Sequence, residues 1–124
     1  MIMPALKIVG KSGITTHVLD TATGRPAAGV PVRLEVKSDG RGWVTLAERK
    51  TDADGRVRDL LATGGKLDAG TYRLTFGTGA YFAAQRQETY FPEATVVFEV
   101  RDPAEHHHVP LLLSPFGYST YRGS

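Results

Sequence analysis

The chain has 124 residues, no cysteine and a formal charge of +2, and 41% of its residues are hydrophobic. This length and composition predict one globular domain over residues 1–124, with residues 1–12 as a loose N-terminal segment. The missing thiols exclude disulfides and cysteine nucleophiles. The 15 basic residues form no run that could follow a phosphate backbone, and no apolar stretch nears the roughly 20 residues that span a bilayer, so we expect no nucleic-acid or membrane partner.

The apolar patch near the N-terminus is short, and Pro4 and Lys7 interrupt it. A secretory signal needs a longer apolar region without such interruptions. The closing Arg-Gly-Ser also differs from the Ser-Lys-Leu address of peroxisomal proteins. We therefore expect a cytoplasmic location.

Apolar residues recur with a period of two along most of the chain, which is typical of half-buried strands. This pattern and the turn residues between the segments predict about eight short strands and hence an antiparallel β-sandwich. One segment, 78–86, contains helix formers behind Thr78 as a candidate N-cap and predicts a helix of about two turns. In chain order the predicted strands cover 14–20, 30–37, 43–49, 56–60, 71–76, 95–101, 106–114 and 118–121.

Alternation along the strand at 106–114 separates its histidines. His107 shares a face with Val109, Leu111 and Leu113, and this face is apolar enough to be core. The opposite face presents imidazoles to solvent, a cleft or a partner. Its members are His106, His108, Pro110, Leu112 and Ser114.

Two further basic residues are candidates for a site. His17 lies on the face of the 14–20 strand that also carries Thr15 and Leu19, opposite the aliphatic residues. An imidazole has an ordinary pKa near 6.5 and can accept a proton at neutral pH. Arg56 follows an Asp-Gly turn, and its planar, permanently charged group suits a carbonyl oxygen or oxyanion.

Other interpretations of the same residues stay open at this point. A lone strand histidine is commonly an ordinary surface or interface residue, and an arginine after a turn is commonly just solvated. His106, His108 and His17 could instead form a three-histidine zinc site, with Glu105 and Asp20 as outer partners of the ligands. An inert structural sandwich is the simplest alternative.

Three segments taken in order resemble one family over nearly the whole chain, from about residue 13 to 124. They are Thr-His-Val-Leu-Asp-Thr at 16–21, Thr-Asp-Ala-Asp-Gly-Arg at 51–56, and the run from His106 through Val-Pro-Leu-Leu-Leu-Ser-Pro to the terminal Tyr-Arg-Gly-Ser. The chain is similar to the transthyretin-like family, and within it to the branch of 5-hydroxyisourate hydrolases. The terminal Tyr-Arg-Gly-Ser separates that branch from the hormone-carrying transthyretins. The family usually has tyrosine where this chain has His107.

The resemblance implies an all-β, transthyretin-like antiparallel sandwich of two four-stranded sheets with one short helix, assembled as a homotetramer, a dimer of dimers with a central channel. It implies hydrolysis of 5-hydroxyisourate to 2-oxo-4-hydroxy-4-carboxy-5-ureidoimidazoline in urate degradation, with no metal and no organic cofactor. A carrier of a small apolar ligand in the same channel is the alternative. Carried over by position, the catalytic residues are His17, Arg56 and His108, and the residues shaping the substrate site are Leu19, Pro110, Ser119, Tyr121, Arg122, Gly123 and Ser124.

Overall fold

Strands dominate the structure, as the period-two pattern predicts. The computed structural model describes residues 13–61 and 67–124, so the loose segment expected at 1–12 lies outside the described residues. In chain order the elements are β1 (Ile14–Asp20), β2 (Arg25–Pro26), β3 (Pro31–Ser38), β4 (Gly42–Lys50), β5 (Arg56–Val57), β6 (Gly70–Phe76), α1 (Thr78–Ala84), β7 (Ala94–Val100), β8 (His107–Ser114) and β9 (Gly117–Thr120).

The strands form two sheets that enclose one core, which confirms the predicted sandwich. One sheet has the order β4-β3-β6-β7. The other has the order β2-β1-β8-β9, and the two-residue strand β5 also pairs with β1. Its long strands are therefore β1, β8 and β9, while β2 and β5 share the free edge of β1.

Strand direction differs from the expected antiparallel pattern at one place. β1 and β8 run parallel, with Ile14 opposite His107 and Asp20 opposite Leu113, while the other pairs in both sheets are antiparallel. Side-chain alternation has the same period in both directions, so it could not have predicted this pairing. The parallel register fixes which β1 residue lies beside each β8 histidine.

The core takes the apolar face of each long strand. In β6, Leu74 and Phe76 have no exposed surface, and in β8 Leu111 is equally buried. A fully buried side chain of this kind contributes about 1.5–3 kcal/mol. His107 is only 5% exposed, so it lies on the core face as the alternation predicts.

Local differences concern the ends of the predicted elements. α1 ends at Ala84, and its N-cap is Gly77 rather than Thr78, because the Thr78 hydroxyl donates to the backbone oxygen of Phe91 (3.0 Å). The strand predicted at 56–60 is limited to β5, and the two-residue strand β2 lies outside the predicted strands. Within the described ranges, no helix has the length and apolar character needed to span a membrane.

Candidate active site

Three neighbouring strands bring the predicted catalytic residues together. In the parallel pairing, Thr15 lies opposite His108 and His17 lies opposite Pro110. On the other edge of β1, His17 lies opposite Arg56 of β5. Because the opposite face of β1 is buried in the core, His17 and Thr15 are confined to the outer face of the sheet. The register therefore places two imidazoles and a guanidinium on adjacent strands.

Arg56 owes its position to the tight turn before it. The Asp52 carboxylate accepts hydrogen bonds from the backbone N–H groups of Arg56 (3.0 Å) and Asp54 (2.9 Å). The first of these bonds is the main reason that the pKa of Asp52 is lowered. Gly55 has a φ of +75°, and a Cβ there would lie 2.5 Å from the backbone oxygen of Val18, so only glycine lets the turn pack against β1.

The Arg56 guanidinium is available to a ligand. Among the described residues, no hydrogen bond or ion pair engages its side chain. The neighbouring Arg58 differs, because it donates to the Asp52 carboxylate at 3.0 Å. A guanidinium without a protein partner offers its full set of N–H donors to a carbonyl or an oxyanion.

Arg56 and His108 line a pocket of about 320 Å³, at the small end of the range for ligand sites, whereas His17 is not among the described residues of its wall. The volume suits a small polar ring better than a large apolar ligand. Its wall includes Thr15, Arg56, Arg58, His106, His108 and Ser124.

His108 is held at one ring nitrogen and packed at one ring edge. Its Nδ1 lies 2.8 Å from the Thr15 hydroxyl. Gly123 forms a bridge with His108 and donates its N–H to the His108 backbone oxygen (2.8 Å). Burial and, less strongly, the charges of Arg56, His106 and His17 lower the pKa of His108. The ring is therefore neutral at pH 7, the state that can accept a proton.

His17 is electrostatically similar to His108. Burial is the main cause that lowers its pKa, and the positive charge of Arg56 acts in the same direction. A hydrogen bond to the backbone of Asp54 and the charges of Asp52 and Asp54 partly oppose this shift. The pKa of both imidazoles is thus shifted towards the neutral form, and His17 lies between the strands of Arg56 and His108.

The terminal residues approach the pocket to different extents. Ser124 lies in its wall, and Gly123 packs on the His108 ring. Arg122 donates to the Glu105 carboxylate at 3.1 Å. Tyr121 is 57% exposed and follows β9 rather than ending it.

The other predicted substrate-site residues lie along the same sheet face. Pro110 is buried beside His17. Leu112 of β8 pairs with Leu19 of β1 on one side and with Ser119 of β9 on the other. Both residues therefore lie further along the sheet than the histidines. Their roles in binding substrate stay predictions.

The described residues give no geometric support to the zinc alternative. Across residues 13–61 and 67–124, no group of three or more His, Cys, Asp or Glu side chains is arranged to hold a metal ion. The expected outer partners are engaged elsewhere, since Glu105 pairs with Arg122 and the buried Asp20 accepts a hydrogen bond from Tyr81 (2.7 Å).

Sequence reasoning missed four residues of the pocket wall as members of the catalytic or substrate site: Thr15, Thr16, Arg58 and His106. Alternation already placed Thr15 on the face of His17 and His106 on the face of His108. The missing information was the pairing of β1 with β8, which brings residues 93 positions apart into contact. Arg58 follows Arg56 by two residues in the same predicted strand. Because alternate strand residues share a face, this spacing could have identified Arg58 as a second arginine of the site.

A larger groove of about 550 Å³ lies on the other sheet. It is lined by charged side chains of both signs, including Arg33, Glu48 and Arg49, and it contains no histidine. The histidines and the unpaired guanidinium therefore favour the smaller pocket as the functional site.

The chain is similar to known proteins in both sequence and fold. The profile of the HIUase/Transthyretin family matches residues 14–123. A 5-hydroxyisourate hydrolase of Salmonella typhi is 48% identical, over 98% of this chain and 88% of the relative. The solved 5-hydroxyisourate hydrolase of Klebsiella pneumoniae is 42% identical with a TM-score of 0.78, covering 90% of this chain and 92% of that one.

A transthyretin has a similar backbone. Sea bream transthyretin in complex with thyroxine is 33% identical with a TM-score of 0.84, covering 90% of this chain and 95% of that one. The match of the family profile over nearly all described residues, together with the close relatives, shows that this chain belongs to the HIUase/Transthyretin family.

Proposed function

We propose that this protein hydrolyses 5-hydroxyisourate to 2-oxo-4-hydroxy-4-carboxy-5-ureidoimidazoline, a step of urate degradation. The observation that supports it most is that the strand register brings His17, Arg56 and His108 onto three adjacent strands, with Arg56 and His108 in the wall of one small pocket. The choice of substrate follows the relatives, which are named as 5-hydroxyisourate hydrolases.

The chemistry needs a base, an oxyanion partner and an acid. A neutral imidazole of the histidine pair takes a proton from water, and the resulting hydroxide adds to a carbonyl carbon of the six-membered ring. Arg56 holds the substrate and stabilises the negative charge that develops on the carbonyl oxygen. Collapse of the tetrahedral intermediate breaks the adjacent C–N bond, and the imidazolium returns its proton to the leaving nitrogen.

A homotetramer is the proposed assembly. Three large side chains around the β8–β9 hairpin are exposed in the single chain: Tyr90 by 74%, Phe116 by 64% and Tyr118 by 38%. The Phe91 ring links two of them through edge-to-face contacts with Tyr90 and Tyr118. An exposed aromatic cluster at a sheet edge is typical of a subunit interface. Light scattering after gel filtration tests the tetramer, and a monomer at micromolar concentration would contradict it.

The carrier alternative needs an apolar channel for its ligand. Here the pocket wall contains two arginines and two histidines, and a large apolar ligand would leave the Arg56 guanidinium without a hydrogen-bond partner. Hydrolysis is therefore preferred over transport. The cytoplasmic location expected from the sequence stays a prediction that cell fractionation can test.

The decisive experiment follows the decay of freshly generated 5-hydroxyisourate by absorbance. We expect His17→Ala and His108→Ala each to lower kcat/KM by about 10² or more, because loss of a positioned base typically has an effect of that size. Circular dichroism verifies that each variant is folded. Decay in either variant at the wild-type rate would refute the assignment.

His107→Tyr is the matched control. It replaces a histidine on the same strand, one residue from His108, but on the buried face. Tyrosine is also the residue that the resemblance leads us to expect there. Activity within about threefold of the wild type is expected, since the buried face does not reach the pocket.

A further inference from the structure

One hydroxyl group joins two histidines at the pocket wall. The Thr15 Oγ1 lies 2.8 Å from Nδ1 of His108 and 2.9 Å from Nε2 of His106. The two rings are nearly parallel, with an angle of 21° and centroids 6.5 Å apart. The hydroxyl therefore lies between two imidazole nitrogens, each of which can be a hydrogen-bond donor or acceptor.

Two arrangements of these hydrogen bonds use the Thr15 hydroxyl as donor and acceptor at once while both rings are neutral. In each of them the hydroxyl donates its one proton to one imidazole and accepts an N–H from the other. In the first arrangement His108 carries its proton on Nδ1 and donates to Thr15, which donates to Nε2 of His106. In the second, every donor and acceptor is reversed. Thr15 consequently couples the tautomers of the two rings.

The first arrangement is the one that a general base requires. With its proton on Nδ1, His108 keeps a lone pair on Nε2. Among the described residues, no side chain or backbone group forms a hydrogen bond with that Nε2. It is thus the nitrogen left for a water molecule.

We infer that His108 is the general base and that Thr15 and His106 form a proton relay behind it, with Thr15 as a positioning residue. This inference rests on the proposed function and deepens it, because it assigns different roles to the two histidines of the pair. His17 then acts beside Arg56 in orienting the substrate.

Each proton that moves along the relay has a stated donor and a stated acceptor. Water gives a proton to Nε2 of His108, which becomes an imidazolium. The Nδ1 proton of His108 passes to the Thr15 oxygen, while the Thr15 proton passes to Nε2 of His106. His108 is then neutral with its proton on Nε2, and the positive charge is on His106. When Nε2 of His108 donates to the leaving nitrogen, the relay runs in reverse. His106 returns its proton to the Thr15 oxygen and Thr15 gives its own to Nδ1 of His108, so no imidazolate forms and the starting state is restored.

The electrostatic surroundings favour transfer of the positive charge from His108 to His106. The groups facing His108 are His17 of β1, Arg56 of β5 and His106, and Arg58 lies in the same wall. All of these are basic, and the ring of His108 is partly buried, so a positive charge on it is unfavourable. His106 is exposed, where water can solvate the charge and exchange the proton.

The test compares three variants by kcat, KM and imidazole ¹⁵N chemical shifts. Thr15→Val removes the hydroxyl but keeps a β-branched side chain that suits a strand. We expect it to lower kcat by about 10- to 100-fold with KM within about threefold, because the hydroxyl acts on the base rather than on the substrate. Thr15→Ser restores the hydroxyl and should stay within about threefold of the wild type.

His106→Gln separates hydrogen bonding from proton transfer. Its amide can still bond to Thr15, but it cannot accept the proton. We expect kcat to fall while the ¹⁵N shifts of His108 still report a proton on Nδ1; in Thr15→Val that preference should be lost. The double variant Thr15→Val/His106→Gln should be no slower than the slower single variant, because both changes interrupt one relay.

Thr21→Val is the matched control, since its hydroxyl also bonds to β8, at the Leu113 oxygen (3.1 Å), far along the strand from the histidines. It should have wild-type kcat. The relay is refuted if Thr15→Val keeps its kcat, if Thr15→Ser is as slow as Thr15→Val, or if the two changes multiply in the double variant. The ¹⁵N comparison needs no substrate, so it tests the coupled tautomers separately from the proposed reaction.

Discussion

Gly123 offers the sharpest structural test of the site, because its missing side chain makes room for the His108 ring. A Cβ at this position would lie 2.6 Å from Cδ2 of His108 and 3.2 Å from Cγ of Pro110. The backbone of Gly123 does not have a positive φ, so alanine fits the local conformation. The effect of Gly123→Ala therefore comes from this contact alone.

The size of the required movement gives the expected effect. Ordinary contacts of a Cβ begin near 3.4 Å, so the His108 ring or the chain end must move by about 0.8 Å. A shifted ring strains its 2.8 Å hydrogen bond to Thr15, and a shifted chain end loses the bond from Gly123 to the His108 oxygen. Overpacking of this kind costs about 1–3 kcal/mol, and a misplacement near 1 Å can reduce a rate by about 10².

We expect Gly123→Ala to lower kcat/KM for 5-hydroxyisourate by about 10- to 100-fold. The free energy of unfolding should fall by only about 1–2 kcal/mol, since the change affects one ring and the last residues. Decay of freshly generated substrate and urea denaturation measure the two quantities. Gly117→Ala in the same hairpin is the control, because its Cβ would meet only the Ser114 hydroxyl oxygen, at an ordinary 3.7 Å. Equal rates for Gly123→Ala and the wild type would show that the terminal segment does not hold the His108 ring.

Two further changes test the electrostatics and the support of the site. Arg56→Met removes a positive charge that lowers the pKa of both His17 and His108, so NMR titration should give a higher pKa for each ring than in the wild type, and unchanged values would contradict the assigned proximity. In the wild type, burial and the charge of Arg56 lower the pKa of both rings, so each ring should take up its proton only below the ordinary value near 6.5. The free energy of unfolding should therefore fall as the pH drops from that unfolded-state pKa towards the folded-state pKa. Tyr81→Phe removes the hydroxyl that donates to the buried Asp20 carboxylate (2.7 Å). Urea denaturation should show a free energy of unfolding lower by about 1–3 kcal/mol. An unchanged value would show that this bond does not anchor the helix to β1.

Alternation along the strands predicted the faces of the sheet correctly. It placed His107 in the core and His108 outside, and it placed His17 opposite the buried residues of β1. Hydrophobic periodicity carries this information because burial selects every second residue of a half-buried strand.

Pairing between distant strands could not be predicted in the same way. The parallel register of β1 and β8 joins Thr15 to His108 across most of the chain, and no local pattern reports it. The set His17, Arg56 and His108 came from the family resemblance rather than from periodicity. Thr15 was consequently recognised as a face residue but not as a contact of the base.

Backbone similarity by itself does not distinguish a hydrolase from a carrier in this fold. The TM-score is 0.84 for the thyroxine-bound transthyretin and 0.78 for the hydrolase, although the hydrolase is more similar in sequence. Function must therefore be argued from the side chains at the pocket. A half-buried guanidinium and half-buried imidazoles favour a polar substrate that can satisfy their hydrogen bonds, and they disfavour an apolar one that cannot. In this chain the unpaired Arg56 and the Thr15-held His108 meet at one wall, which is the property that a hydrolase needs and that a carrier of apolar ligands must avoid.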